Sequence, residues 1–184
     1  GVKLIRVTDD GCGIARDELA LALTRHATSK IVSLDDLERV SSLGFRGEAL
    51  AAISAVSRLT VVSRARDTET GVRLLLEGGV TTTREVVGAP VGTVIAVENL
   101  FYNVPARLKF LKSVTTEKRL IDEFVTRYSL AYPGIRFRLS HDGRITYQTT
   151  GSGATADVLL AAYGPDTTRH LIEGDRLAKL TAEQ

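Results

Sequence analysis

Residues 58–97 have the sequence RLTVVSRARDTETGVRLLLEGGVTTTREVVGAPVGTVIAV, and this stretch decides the fold class. Runs rich in Val, Thr and Leu alternate in it with glycine-containing turns, which is typical of neighbouring strands. We predict strands at residues 58–64, 72–77, 80–87 and 93–97. Gly78-Gly79 joins the middle pair with the two-residue spacing of a tight hairpin. The stretch therefore predicts an antiparallel sheet.

The segments before this sheet predict one strand and two helices. Residues 2–7 alternate apolar and polar side chains and predict a buried strand. Residues 16–25 predict a helix with acidic side chains in its first turn, where they suit the helix dipole. Residues 48–56, rich in alanine and leucine, predict a second helix. Between these helices, residues 26–42 are mixed and polar, and residues 35–40 within them predict a short helix.

The chain beyond residue 97 predicts a loop, a long helix, a hairpin, a shorter helix and a final strand. They lie, in this order, at residues 103–107, 115–131, 135–149, 154–163 and 170–172. In the long helix, helical spacing places these apolar side chains on one face: Leu120, Ile121, Phe124, Tyr128 and Leu130.

A linker at Gly151-Ser152-Gly153 predicts two domains. We expect one domain over residues 1–150 and the start of a second over residues 151–184, because the second stretch is too short to bury its own core. The chain contains no methionine and opens at Gly1 directly into a strand-like alternation. We therefore expect a fragment without its natural start.

The composition is that of an ordinary globular protein. With 43% hydrophobic residues, 25% charged residues and a net charge of +2, no strongly basic balance by itself indicates nucleic acid or a membrane surface. No run approaches the roughly 18 apolar residues of a membrane span, and no signal segment opens the chain, so we expect no membrane partner. The single cysteine excludes an internal disulfide and fits a reducing compartment, from which we expect a cytoplasmic protein.

The turn Asp9-Asp10-Gly11-Cys12-Gly13 ends the first predicted strand with a carboxylate and two glycines. A carboxylate accepts hydrogen bonds only, so Asp9 suits the amino group of adenine and discriminates against guanine, which carries an oxygen there. Glycines allow the backbone to approach a flat ligand closely. The alternative is that Asp and Gly serve only the conformation of a strand-to-helix turn.

Residues 43–50, LGFRGEAL, form a second candidate, a glycine-containing loop that runs into a helix N-terminus. Unpaired backbone N–H groups favour phosphate at such an end. Arg46 adds a positive charge or pairs with Glu48. This is not a Walker P-loop, because Gly-Lys-Ser/Thr does not follow the glycines. The alternative is a helix entry without a ligand.

Two further elements have weaker signals. Residues 24–30, TRHATSK, combine hydroxyls and cations that can close over a triphosphate, although a solvated loop has the same composition. Thr93 can assist Asp9 at a base, although threonine is common in strands. No histidine has Cys or His neighbours at zinc-ligand spacing, so no metal site is expected. Cys12 lacks a histidine partner and is expected to be a small buried side chain.

Together these segments resemble the MutL family of DNA mismatch repair ATPases. The strings that carry the resemblance are DDGCGI at 9–14, RHATSK at 25–30, LGFRGEAL at 43–50, LFYNVPAR at 100–107 and KFL at 109–111. They occur in the order of that family. The string around Phe45 and the Pro-Ala-Arg segment separate this family from its relatives among the GHKL ATPases.

The resemblance implies an α+β fold, the GHKL (Bergerat-type) α/β sandwich with helices over a mixed, largely antiparallel sheet. It also implies the start of a ribosomal-protein-like α/β domain after it. ATP is the implied ligand, with Asp9 on the adenine amino group, Gly11 and Gly13 at the base, and Thr93 in support through its hydroxyl or a water. The implied lid comprises Thr28, Ser29 and Lys30. The implied phosphate loop and helix start comprise Gly44, Phe45, Arg46, Gly47, Glu48, Ala49 and Leu50.

The family's first motif, a helix that carries the glutamate activating water and the asparagine binding magnesium, is expected upstream of Gly1. The Mg²⁺ ligand is therefore expected outside this chain, which has no carboxylate before Asp9. The resemblance accordingly assigns no catalytic residue to this chain. It implies that the isolated chain turns over no ATP above background.

Three functions remain open at this point. The first is an ATPase switch in which ATP orders the lid and drives dimerisation of N-terminal domains, in a bacterial protein that meets a MutS-type mismatch sensor and DNA. The second is a non-enzymatic scaffold for DNA or repair partners, which uses a basic cluster: Arg107, Lys109, Lys112, Lys118 and Arg119. The third is another GHKL enzyme, such as a topoisomerase subunit, against which the Phe45 string and Pro-Ala-Arg argue.

Overall fold

The stretch 58–97 forms four strands of a five-stranded antiparallel sheet in a computed structural model, which describes residues 3–23 and 48–171. The strands are β1 (Leu4–Asp9), β2 (Arg58–Arg64), β3 (Gly71–Glu77), β4 (Val80–Val87) and β5 (Gly92–Glu98). Their order across the sheet is β1-β5-β2-β3-β4. Gly78 and Gly79 join β3 to β4 with φ of 58° and 86°, a conformation that glycine adopts without steric cost. The predicted sheet and hairpin are confirmed.

Helices cover one face of this sheet. They are α1 (Arg16–Ala22) and α2 (Ala49–Ala55), and both confirm predicted helices over the described residues. Leu19 of α1 is fully buried against Leu59 and Val61 of β2. Alternate positions of β2, β3 and β5 supply the remaining core, because successive strand residues point to opposite faces. The result is a layer of helices on an antiparallel sheet.

The predicted burial of the first strand is wrong. β1 forms, but Leu4, Ile5 and Val7 are 45%, 36% and 59% exposed. The physical reason is the position of β1 at the edge of the sheet, where β5 is its one described neighbour. Apolar alternation indicates a strand, and it does not indicate how many neighbours cover that strand.

The described chain divides into two compact units between Leu111 and Lys112. The first unit ends with a helical turn, α3 (Pro105–Leu108), where a loop was predicted at 103–107, so that prediction is wrong in part. Pro105 occupies the first turn of α3. Backbone N–H groups in a first turn have no acceptor within the helix, so the N–H that proline lacks is not needed there.

The second unit contains α4 (Val114–Ala131), the hairpin strands β6 (Arg138–His141) and β7 (Arg144–Gln148), and α5 (Thr155–Arg169). The hydroxyls of Ser129 and Tyr147 join α4 to β7 at 2.7 Å. Lys118 of α4 hydrogen-bonds Asp142 in the hairpin turn and holds the pKa of that carboxyl below its ordinary value. The predicted long helix and hairpin are confirmed.

Other predictions for this unit need correction. Leu120 and Phe124 on the predicted apolar face of α4 are 38% and 58% exposed, whereas Ser129 is buried. The helix predicted at 154–163 continues to Arg169 through a kink at Gly164, whose φ is 78°. His170 caps α5 where a strand was predicted, and residue 172 lies outside the described residues.

The expected domain boundary near residue 150 stays a prediction. The described part of the stretch beyond it, α5, packs against α4 and β7 within the second compact unit. Within the described ranges, no helix is long and apolar enough to cross a bilayer.

Candidate functional site

The predicted base-binding turn leaves the end of β1 and is closed by the side chain of Asp9. The Gly11 N–H donates to Asp9 Oδ1 over 3.0 Å, and the carboxylate is exposed. Because this bond occupies Oδ1, the other carboxylate oxygen, Oδ2, keeps its lone pairs for another donor. Asp9 therefore has the conformational role in the turn that the sequence left open. Its Oδ2 stays available to accept from a ligand.

The turn then lies across the end of β2. The Arg66 N–H donates to Cys12 O over 3.0 Å, and the Ile14 N–H donates to Ser63 Oγ over 2.8 Å. Gly13 has a φ of +73°, and a Cβ added there would lie 1.9 Å from the carbonyl oxygen of Arg64. Glycine is thus required at this position by backbone contact within the protein as well as by φ.

Thr93 lies directly opposite Asp9 in the register of β1 and β5. Residues in register place their side chains on the same face of a sheet, so the Thr93 hydroxyl and the Asp9 carboxylate share one end of one face. Gly92 makes this possible, because it has a φ of +120° and a Cβ there would lie 2.2 Å from Asp9 O. The structure therefore brings together Asp9, Gly11, Gly13 and Thr93.

Ser63 joins this group and was missed by the sequence reasoning. Its Oγ lies 2.9 Å from Thr93 Oγ1 and 3.1 Å from Gly92 O, in addition to its bond from Ile14. A signal existed in the inward-facing positions of β2, where Ser63 follows the fully buried Leu59 and Val61. The inward-facing side chains of β2 are apolar at Leu59 and Val61, and the serine that follows them indicates a polar environment at that end of the strand.

The remaining predicted residues are placed separately. Glu48, Ala49 and Leu50 form the start of α2, where the Ala52 N–H is bonded to Glu48 O at 2.9 Å. This bond belongs to the first turn of α2. The other predicted binding residues lie outside the described residues, as does the helix predicted at 35–40: Thr28, Ser29, Lys30, Gly44, Phe45, Arg46 and Gly47.

Cys12 is exposed, so the prediction that it is buried is wrong. The reason is its place in the turn, which crosses strand ends outside the apolar face of the sheet. Within residues 3–23 and 48–171, no group of three or more His, Cys, Asp or Glu side chains could hold a metal ion. No step is assigned to a magnesium ion.

The basic cluster proposed for a scaffold is largely engaged within the protein. Lys118 pairs with Asp142, Arg119 pairs with Glu123, and the guanidinium of Arg107 lies 5.8 Å from the centroid of the Phe101 ring. Exposed ion pairs of this kind are typical of a solvated surface. Three of the five members of the cluster thus have partners among the described residues, and the choice between a solvated face and a phosphate-binding surface stays a prediction.

Known proteins resemble the chain along nearly its whole length. No family model matches it. DNA mismatch repair protein MutL of Halothermothrix orenii is 46% identical over 175 residues, which are 95% of this chain and 27% of that protein. MutL of Agathobacter rectalis is 44% identical over 173 residues, or 94% of this chain and 27% of that protein. The chain thus spans about a quarter of the length of these relatives.

A solved structure supports the same relation. The Aquifex aeolicus MutL ATPase domain complexed with ADP has a TM-score of 0.68 and 32% identity, and the match covers 88% of this chain and 57% of that one. The helix layer and the antiparallel sheet match the GHKL-type fold of that ATPase domain. The chain belongs to the MutL family of DNA mismatch repair proteins.

Proposed function

We propose that the chain forms the adenine-binding part of a DNA mismatch repair ATPase of the MutL type. The observation that carries this proposal is the register of β1 and β5, which sets Asp9 opposite Thr93 at one end of one sheet face. The identity with MutL proteins over 95% of the chain supports it, and so does the structural match to an ADP complex.

The base is recognised by hydrogen-bond polarity. Asp9 Oδ1 is occupied by Gly11, so Oδ2 accepts from the exocyclic amino group of adenine. Guanine presents an oxygen at the same position, which repels a carboxylate. The Thr93 hydroxyl, on the same face, is the second polar group at the base. Charge-assisted hydrogen bonds are the strong ones, so Asp9 supplies most of this selectivity.

The phosphates extend toward the start of α2 in this proposal. Glu48, Ala49 and Leu50 are at that helix start, and the backbone N–H groups and dipole of a helix N-terminus favour anions. The family resemblance adds Gly44 to Gly47 for the phosphate loop, and Thr28, Ser29 and Lys30 for the lid. ATP that holds such a lid closed shifts the protein toward an ordered state, because ligand binding stabilises whichever state makes the extra contacts.

The biological role proposed for the whole protein follows from its relatives. ATP-dependent closure promotes dimerisation of the N-terminal domains and relays recognition from a MutS-type mismatch sensor to repair on DNA. Mg²⁺ accompanies the nucleotide, with ligands outside the described residues. Similarity to MutL proteins supports these assignments.

A paired assay tests the proposed function. We expect the purified full-length protein to retain ATP in equilibrium dialysis, and we expect cells lacking it to show a raised spontaneous mutation frequency that the wild-type gene restores. The first result is expected because the site binds ATP. The second is expected because the ATP-dependent closure proposed above is needed for repair. A full-length protein that retains no ATP, or a deletion with an unchanged mutation frequency, would contradict the proposal.

A further inference from the structure

A buried serine hydroxyl lies at the centre of the candidate site. Ser63 is 2% exposed. Its Oγ lies 2.8 Å from Ile14 N, 2.9 Å from Thr93 Oγ1 and 3.1 Å from Gly92 O. One oxygen therefore contacts both the turn that follows Asp9 and the strand that carries Thr93.

The number of protons limits how these groups can pair. A serine hydroxyl has one proton to donate and two lone pairs with which to accept. The Ile14 N–H can only donate and the Gly92 carbonyl can only accept, so one lone pair of Ser63 is committed to Ile14. The single Ser63 proton then goes either to Gly92 O or to Thr93 Oγ1.

These two arrangements give Thr93 opposite roles. When Ser63 donates to Gly92, Thr93 donates its own proton to Ser63 and can only accept from a ligand. When Ser63 donates to Thr93, the Thr93 oxygen accepts that bond, and the Thr93 O–H stays available to donate to a ligand. Adenine has an acceptor ring nitrogen next to its amino group. With the amino group on Asp9, the neighbouring ring nitrogen is satisfied by the second arrangement.

We propose that Ser63 is a positioning residue that acts through Thr93 and sets the hydroxyl to donate to the adenine ring nitrogen. This inference rests on the proposed function. Ser63 itself does not touch the nucleotide. The Ser63 O–H donates to Thr93 Oγ1 from the buried side of the sheet end. The Thr93 O–H is then directed toward the ligand.

A double-mutant cycle tests the coupling in the full-length protein. The affinity for ATP is measured by equilibrium dialysis on the wild type, Ser63→Ala, Thr93→Val and the double variant. We expect Ser63→Ala to weaken ATP binding about tenfold in the wild type and less than about threefold in the Thr93→Val background, because residues that act as one unit are not additive. Equal losses in both backgrounds, or no loss in either, would overturn the inference.

A nucleotide analogue tests the same point from the ligand side. In 1-deaza-ATP a C–H replaces the ring nitrogen next to the amino group, so the proposed acceptor is absent. We expect the Ser63→Ala variant to bind this analogue within about threefold of the affinity that the wild-type protein has for the same analogue. The reason is that the hydrogen bond that Ser63 directs is already missing. A merely structural role would weaken ATP and the analogue equally, and that result would contradict the inference.

Ser57→Ala is the matched control. Ser57 is fully buried, and its Oγ donates to Ile53 O over 2.7 Å at the opposite end of β2. We expect this variant to lose thermal stability and to keep the ATP affinity, whereas an affinity loss equal to that of Ser63→Ala would overturn the inference. Wild-type protein without ATP binding would contradict both the proposed function and the inference. ATP binding that Ser63→Ala leaves unchanged would contradict the inference alone.

Discussion

Asp9→Asn is expected to raise the dissociation constant for ATP at least about a hundredfold while leaving the thermal stability of the full-length protein nearly unchanged. The turn needs an acceptor at Oδ1, where the Gly11 N–H donates over 3.0 Å. The asparagine oxygen supplies that acceptor, so its amide NH₂ takes the position of Oδ2. A charged hydrogen bond worth roughly 1.5–3 kcal/mol is lost, and the new contact between two donors, which leaves both unsatisfied, adds to that loss.

The neighbouring carboxylate provides the control for this variant. Asp10→Asn makes the same change in charge one residue further along the exposed turn. It is expected to leave the ATP dissociation constant within about threefold of the wild type, because exposed charges interact weakly through water. Equilibrium dialysis measures both variants. Unchanged ATP affinity in Asp9→Asn would refute the role of Asp9 at the base.

Gly13→Ala is expected to lower the free energy of unfolding of the first unit by roughly 2–5 kcal/mol and to abolish ATP binding. A left-handed φ of +73° costs an alanine about 1–2 kcal/mol, and the new Cβ would lie 1.9 Å from Arg64 O. Forcing a methyl into a packed contact costs about 1–3 kcal/mol more. The backbone must move, and the Asp9 turn moves with it.

Thermal unfolding and ATP dialysis on the same preparation measure both effects. Gly88→Ala is the matched control, because a Cβ at Gly88 meets no atom within 4 Å. We expect that variant to unfold and bind ATP like the wild type. A Gly13→Ala protein with wild-type stability and ATP affinity would show that the turn does not need the close contact with Arg64.

Local chemistry was sufficient to predict much of this molecule. β2 and β4 occur at the predicted bounds because Val- and Thr-rich alternation and the Gly78-Gly79 turn are local signals. The residue types of Asp9 and Thr93 suggested a base site, and the register of β1 and β5 brings them together. The order of the family strings supplied what the single motifs could not.

Long-range contacts account for what the sequence did not predict. Ser63 is 49 residues from Ile14 and 30 from Thr93, so its hydrogen bonds depend on strand register. The contact of Gly13 with the Arg64 carbonyl has the same origin. Periodicity correctly predicted α4 but not the exposure of Phe124, because spacing defines a helix face and not what covers it.

The central claim is that the sheet end at Asp9 and Thr93 recognises adenine. Equilibrium dialysis of ATP against GTP on the full-length protein tests it most directly, because both nucleotides carry the same triphosphate and ribose and differ only in the base. We expect ATP to bind at least about a hundredfold more tightly than GTP, since the Asp9 carboxylate meets an amino donor in adenine and an oxygen in guanine. Equal affinities for the two nucleotides would contradict it.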